Sequence, residues 1–253
     1  MEYEEYKIMY EAEDTHWWYR GMRGVMSALL GLNKARNHGA HILDAGCGTG
    51  GNLHALAARG FHNLEGFDLS PVALEFCHRR GLHNVRPGSI TAIPYEDDSF
   101  DLVISCDVVT DAGTENELRA LSELFRVLKP GGRLFLNLPA HSFLRSEHDR
   151  ATAVARRVTK GEIVRKLAGV GFRVKRATYW NMLLFPVVVA VRLLRREKED
   201  DLNAPARSDI VLPARPINLF LSACVGLEHL LLRGMNLPVG SSVALVAVKP
   251  RGA

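Results

Sequence analysis

The stretch Ile42-Leu43-Asp44-Ala45-Gly46-Cys47-Gly48-Thr49-Gly50-Gly51 constrains the fold more than any other part of the chain. A short apolar strand, His41 to Asp44, runs into a glycine-rich loop and then into a helix over Leu53 to Arg59. The backbone must therefore turn tightly and can be approached closely by a ligand. The same alternation continues. Strands are predicted at Leu64–Asp68, near Val85, at Phe100–Ser105, Arg133–Leu138, Phe172–Tyr179 and Val243–Val248. Helices are predicted from Pro71 (with Ser70 as N-cap) to Arg80, from Glu115 to Leu128 and from Lys160 to Val170. Strands separated by helices imply right-handed crossovers and a mostly parallel sheet covered on both faces.

Two segments lie outside this repeat. Helices over Tyr3–Asp14 and Trp17–Leu32 precede the first strand, so residues 1–38 read as a helical lid. The core then occupies 39–180 and 242–250. Residues 181–241 form an insertion far longer than a hairpin loop needs, with apolar helices near Met182–Arg196 and Ile217–Arg233 joined by a charged, proline-containing stretch.

Composition narrows the class. At 253 residues with 47% hydrophobic and 24% charged side chains, the chain suits one elaborated domain and is not disordered. The net charge of +4 is mild. From Arg150 to Arg176 there are nine basic residues and one acid, yet only Phe172 could stack on a base, so no nucleic-acid partner is expected. Cys47, Cys77, Cys106 and Cys224 are too scattered for a metal or disulfide framework, and no metal is expected. With an acidic start and an apolar run, Met182–Val191, about half the ~20 residues of a spanning helix, the chain is expected to be cytoplasmic.

The loop alone leaves its ligand open. Gly46, Gly48 and Gly51 fit a dinucleotide fingerprint, and Asp68, closing the second strand, suits the ribose of NAD or of another adenosine. Asp44 separates the readings: a carboxylate beside the loop repels a pyrophosphate and attracts an ammonium. S-adenosylmethionine carries an ammonium, a sulfonium and ribose hydroxyls, and no phosphate. A purely structural turn would explain one or two glycines but neither acid.

Ile42 to Gly50 resembles the first motif of class I S-adenosylmethionine-dependent methyltransferases. Gly66-Phe67-Asp68-Leu69-Ser70-Pro71 resembles the second, ribose-binding motif. Ile93-Pro94-Tyr95 with Phe100-Asp101-Leu102-Val103 resembles the approach to the fourth strand, and Val127-Leu128-Lys129-Pro130-Gly131-Gly132-Arg133-Leu134 the turn into the fifth. The likeness covers about residues 40–138. More loosely, His16-Trp17-Trp18-Tyr19-Arg20 and Ser146-Glu147-His148-Asp149 resemble a bacterial type 11-like subgroup that modifies sugars, lipids and other small molecules.

The resemblance implies a Rossmann-like α/β fold with a seven-stranded, mostly parallel sheet. It implies cofactor contacts from Asp44, Gly46, Gly48, Thr49, Gly50, Asp68, Leu69, Ser89, Ile90, Cys106, Asp107, Trp18 and Arg20. It implies methyl transfer to a small-molecule acceptor, lipophilic or glycosylated, with His148 as first candidate base and His141 as second. The chain departs from the pattern at Gly88-Ser89-Ile90, where an acid would meet the adenine amine, at Thr110-Asp111, and at Val154 and Val158 beside Arg156 and Arg157. Trp17, Trp18, Tyr19, Arg20 and Arg23 share one helix that could close over the cofactor or pack on the sheet edge. The insertion is expected to cap the acceptor, with packing on a second subunit or contact with a membrane surface as alternatives. An NAD-dependent oxidoreductase and a cofactor-binding protein without catalysis are the rival functions.

Overall fold

The computed structural model describes residues 3–32, 38–110, 116–146, 149, 154–196 and 212–252. Two helices come first, α1 (Tyr3–Ala12) and α2 (Trp17–Leu30). Then follow β1 (Ile42–Ala45), α3 (Gly51–Ala57), β2 (Leu64–Asp68), α4 (Pro71–Arg79) and β3 (Val85–Pro87). After β4 (Phe100–Cys106) come α5 (Glu117–Val127), β5 (Leu128–Pro139), α6 (Lys160–Val170) and β6 (Arg173–Trp180). The chain ends with α7 (Phe185–Arg196), α8 (Arg215–Leu232) and β7 (Ser242–Val248).

The seven strands form one sheet in the order β3-β2-β1-β4-β5-β7-β6, with β7 antiparallel to both neighbours and the other pairings parallel. This is the expected α/β architecture. Alternate side chains serve the two faces. Leu43, Val103, Leu134, Leu136 and Leu245 pack with Leu121 and Leu124 of α5 and Ile163 and Leu167 of α6. Ile42, Leu102, Ile104, Phe135 and Val246 pack with Met26 of α2, Leu53 and Leu56 of α3 and Val225 of α8.

Several boundaries differ from the sequence expectation for local reasons. Helix α2 stops at Leu30 because Gly31 takes a left-handed conformation, φ 66°, and its N–H returns to Ser27. Strand β5 begins at Leu128, before the Lys-Pro-Gly-Gly turn, with a register shift opposite Phe100 and Leu102. Helix α7 starts at Phe185 instead of Met182: Asn181 is left-handed, and the buried Glu228 carboxylate accepts from Asn181 N at 2.7 Å and Leu183 N at 2.8 Å. Helix α8 starts at Arg215, since Pro216 fits the first turn.

Helix α8 lies across α2. A Cβ on Gly21 would stand 2.8 Å from Val225 Cγ1, and one on Gly24 2.0 Å from His229 Cε1. The His229 ring donates from Nε2 to the Gly21 carbonyl at 2.9 Å, and Asn218 accepts from Trp17 N and donates to Thr15 O, both at 2.9 Å. The insertion is thus fastened to the N-terminal helices. Part of the basic run after β5 is ion-paired: Arg156 and Lys166 meet the buried Glu117, and Arg157 meets Asp149 at 2.8 Å. Among the described residues no helix is long and apolar enough to cross a membrane.

Candidate active site

Parallel strands deliver their loops to one edge of the sheet, and the candidate residues of β1, β2, β4 and β5 gather there. Gly46 and Gly48 have φ of 76° and 53°, which glycine adopts without strain. A Cβ on Gly46 would also lie 2.5 Å from Val108 Cγ2, whereas the space beside Gly48 is open apart from Met9 Sδ of α1 at 3.4 Å. Asp68 fixes the loop: its carboxylate accepts from Gly48 N at 2.8 Å and Ser70 N at 2.9 Å, leaving acceptor capacity for a ligand hydroxyl.

Asp44 is the unusual member. It is 1% exposed, and neither carboxylate oxygen has a hydrogen-bond partner among the described residues. Burial pushes its carboxyl up to about 8; Asn52 pulls it down, while Glu13 and Asp68 add to the rise. Asn52 is near enough for that influence but does not reach donor geometry. An unpaired buried carboxylate is costly and calls for a cationic partner.

The turn after α1 brings a further acid that sequence reasoning missed. Glu13 is buried over the start of α3, where it accepts from Thr49 Oγ1 at 2.5 Å and Arg80 Nη2 at 3.1 Å. Arg80 spans the site, donating also to Thr49 O and Tyr10 O at 2.9 Å and pairing with Asp14. Arg23 of α2 donates from Nη2 to the Glu13 carbonyl at 2.6 Å, while its buried Nη1 has no partner.

At the end of β4, Asp107 holds φ at 62°, and Asn137 Nδ2 stands 3.1 Å from each of its carboxylate oxygens. Asn137 is oriented in turn by Trp180, whose indole Nε1 donates to Asn137 Oδ1 at 2.7 Å. Burial raises the Asp107 carboxyl to about 7; Asn137 and Arg157 oppose the rise and Asp149 adds to it. Trp180 packs against Trp18 with ring centroids 5.7 Å apart. Cys106 Sγ touches Met22 Sδ at 3.5 Å.

His141 follows β5. Its ring stacks on Tyr179 at 5.0 Å and 16° and neighbours Phe143 and Phe185. Burial and Arg157 lower its pKa, so the ring is neutral at pH 7, and its Nε2 has no partner. Together these rings form an aromatic wall after β5.

The remaining expected contacts divide. Leu69 is 77% exposed, an apolar side chain left on the open side beside Asp68. Ile90 is buried, and the Ser89 hydroxyl is spent on Thr91 at 2.9 Å. Trp18 is half-buried on α2, whereas Arg20 is exposed, and Arg23 is the inward cation of that helix. His148 lies outside the described residues. Asn137 had a sequence signal, a lone amide in the apolar run Leu134–Leu138; Glu13 had none. Among the described residues no cluster of His, Cys, Asp and Glu could hold a metal ion.

The comparisons agree with this geometry. Residues 43–136 match the family described as Methyltransferase domain. Over that stretch the chain is similar to class I S-adenosylmethionine-dependent methyltransferases. The chain is 34% identical over 133 residues to phthiotriol/phenolphthiotriol dimycocerosates methyltransferase 1 of Mycobacterium ulcerans, covering 49% of this chain and 48% of that protein. It is 36% identical over 128 residues to malonyl-[acyl-carrier protein] O-methyltransferase of Erwinia billingiae, covering 49% of each. The chain spans about half the length of the curated relatives it matches. A chain from a Haloferax volcanii complex containing the Trm112 methyltransferase activator shares the fold, with TM-score 0.61, 19% identity and coverage of 99% of this chain and 95% of that one.

Proposed function

We propose that this chain transfers the methyl group of S-adenosylmethionine to a small-molecule or lipid-linked acceptor. The observation that carries the reading is the Asp44 carboxylate, buried and unpartnered beside a glycine loop, which suits an ammonium and repels a pyrophosphate. Asp44 would hold that ammonium, Asp68 the ribose hydroxyls, and Leu69 and Ile90 the adenine faces. Backbone of Gly46 to Gly50 and the side chains of Cys106 and Asp107 would line the rest. When bound, the cofactor supplies a methyl carbon already activated by its sulfonium.

The protein's own work is then alignment and exclusion of water. An O–H or N–H acceptor must also lose a proton. Asp107, held by Asn137 at the end of β4, would take it and pass it on to water afterwards. His141, neutral and with a free Nε2, is a second candidate, and His148, the first candidate from sequence, is a third. The aromatic wall of His141, Tyr179, Phe143 and Phe185, and the likeness to a phthiotriol/phenolphthiotriol dimycocerosates methyltransferase, support an apolar acceptor. In this reading residues 181–241 cap the acceptor and residues 1–38 cover the cofactor.

Calorimetric titration tests the reading. Heat with S-adenosylhomocysteine and none with NADH is expected. Heat with NADH and none with S-adenosylhomocysteine overturns it.

A further inference from the structure

The side of α8 that faces away from α2 is apolar and uncovered. Twelve of the seventeen large apolar side chains exposed among the described residues lie between Leu183 and Met235, so the exposure is concentrated in the insertion. At about 100° per residue, Leu219, Phe220, Ala223, Leu227 and Leu230 share about 100° of arc along a helix about 27 Å long. Leu219 is 72% exposed and Phe220 65%, whereas Val225, Glu228 and Leu232 on the other side are buried. Helix α7 adds the exposed Val187 and Leu194, two turns apart. A helix apolar on every side is normally buried on every side, and a continuous apolar stripe left on the surface marks a contact.

Charge decides what covers it. Helices α7 and α8 contain one acid between them, Glu228, and its carboxylate is spent on Asn181 N and Leu183 N. The charges at the two ends of α8 are cations: Arg215 begins the helix, Arg233 follows it, and both are exposed. Arg176 brings another, donating to Leu232 O at 2.7 Å and Met235 O at 2.8 Å. Asp14, next to the Thr15 that meets Asn218, is itself paired with Arg80 at 2.9 Å. A second copy of the chain laid on this face would bring the same cations and no acid to meet them, and a convex helix is not the concave site that a small molecule takes. A bilayer with anionic headgroups supplies both missing parts, acyl chains for the stripe and phosphates for the arginines. We propose that the outer face of α8 binds an anionic lipid surface, with Leu219, Phe220, Leu227 and Leu230 below the headgroups and Arg215 and Arg233 among them. Because its other face is packed on α2, the helix lies in the interface and does not cross it. The proposal does not depend on the cofactor reading.

Sedimentation with vesicles tests this on the full chain, which includes the acidic Glu197, Glu199, Asp200 and Asp201 that lie outside the described residues. Vesicles of phosphatidylcholine mixed equally with phosphatidylglycerol are expected to bind it at least about tenfold more tightly than phosphatidylcholine alone, and salt should weaken that binding. Phe220→Glu combined with Leu227→Glu is expected to weaken binding to the mixed vesicles at least about tenfold. Both positions are exposed, so the unfolding midpoint should stay where it is. Arg215→Gln combined with Arg233→Gln leaves the stripe whole; it should cost roughly 25-fold on the mixed vesicles and less than about twofold on the neutral ones. No binding to the mixed vesicles, equal affinity for the two compositions, or undiminished binding by either double variant overturns the proposal. So does a dimer in sedimentation velocity that the F220E and L227E pair dissociates, since a second copy would then occupy the face.

Discussion

Asn137 Nδ2 lies 3.1 Å from both carboxylate oxygens of Asp107, so one amide holds an acid whose burial would otherwise keep it protonated. Asn137 is one of the groups lowering the Asp107 pKa, and its other side is committed to Trp180. Asn137→Ala is therefore expected to move the Asp107 titration upward from about 7, as read from its side-chain carboxyl resonance in ¹³C NMR. It also leaves an indole N–H and a carboxylate without a partner, and urea denaturation should register a loss of roughly 1–3 kcal/mol. A titration that stays in place would separate Asn137 from Asp107.

Asp44 sets a second pH dependence. Its carboxyl is raised to about 8 in the folded chain against an ordinary 3.8, so the native state holds a proton that the unfolded state has lost. The associated stability is complete below about 4 and disappears as pH rises toward 8. Thermal unfolding across this range should show a fall that Asp44→Asn flattens. An ammonium, by contrast, needs the ionised acid. S-adenosylhomocysteine affinity is expected to increase up to about tenfold per pH unit below 8, with release of nearly one proton. Calorimetry in buffers of different ionisation enthalpy reads that proton directly, and D44N should abolish it.

The glycine loop, the acid closing β2 and the alternation of strand and helix were legible because each is encoded within a few neighbouring residues. The parts that were not legible depend on pairs far apart in sequence. Glu13 reads as one more charge at a helix end until Arg80, 67 residues on, folds back to it. Arg20 and Arg23 look alike in sequence, and only the packing of α2 decides which is buried. Asn137 is a lone polar residue within an apolar strand, but its partners Asp107 and Trp180 lie just after β4 and in β6.

Gly24 illustrates the same limit and carries a prediction. In an exposed helix interior, glycine to alanine gains about 1 kcal/mol. Here the added methyl would stand 2.0 Å from the His229 ring, which cannot retreat without losing its bond to the Gly21 carbonyl. Gly24→Ala is expected to destabilise the chain by roughly 1–3 kcal/mol instead. In a double-mutant cycle, His229→Ala should relieve most of that cost, since the clash is with the ring. If G24A stabilised the protein, the close crossing of α2 and α8 would be wrong.

Leu69 offers a test of where the adenine lies. A leucine 77% exposed at the end of β2 makes few contacts to lose, so Leu69→Ala should leave the unfolding midpoint unchanged. If the adenine ring covers this side chain when bound, removing its outer carbons forfeits about 1 kcal/mol of apolar burial, a roughly fivefold loss of affinity. That loss should be equal for S-adenosylhomocysteine and 5′-methylthioadenosine, because both carry the adenine. A Leu69→Ala chain that binds both as tightly as before would place the adenine away from the end of β2.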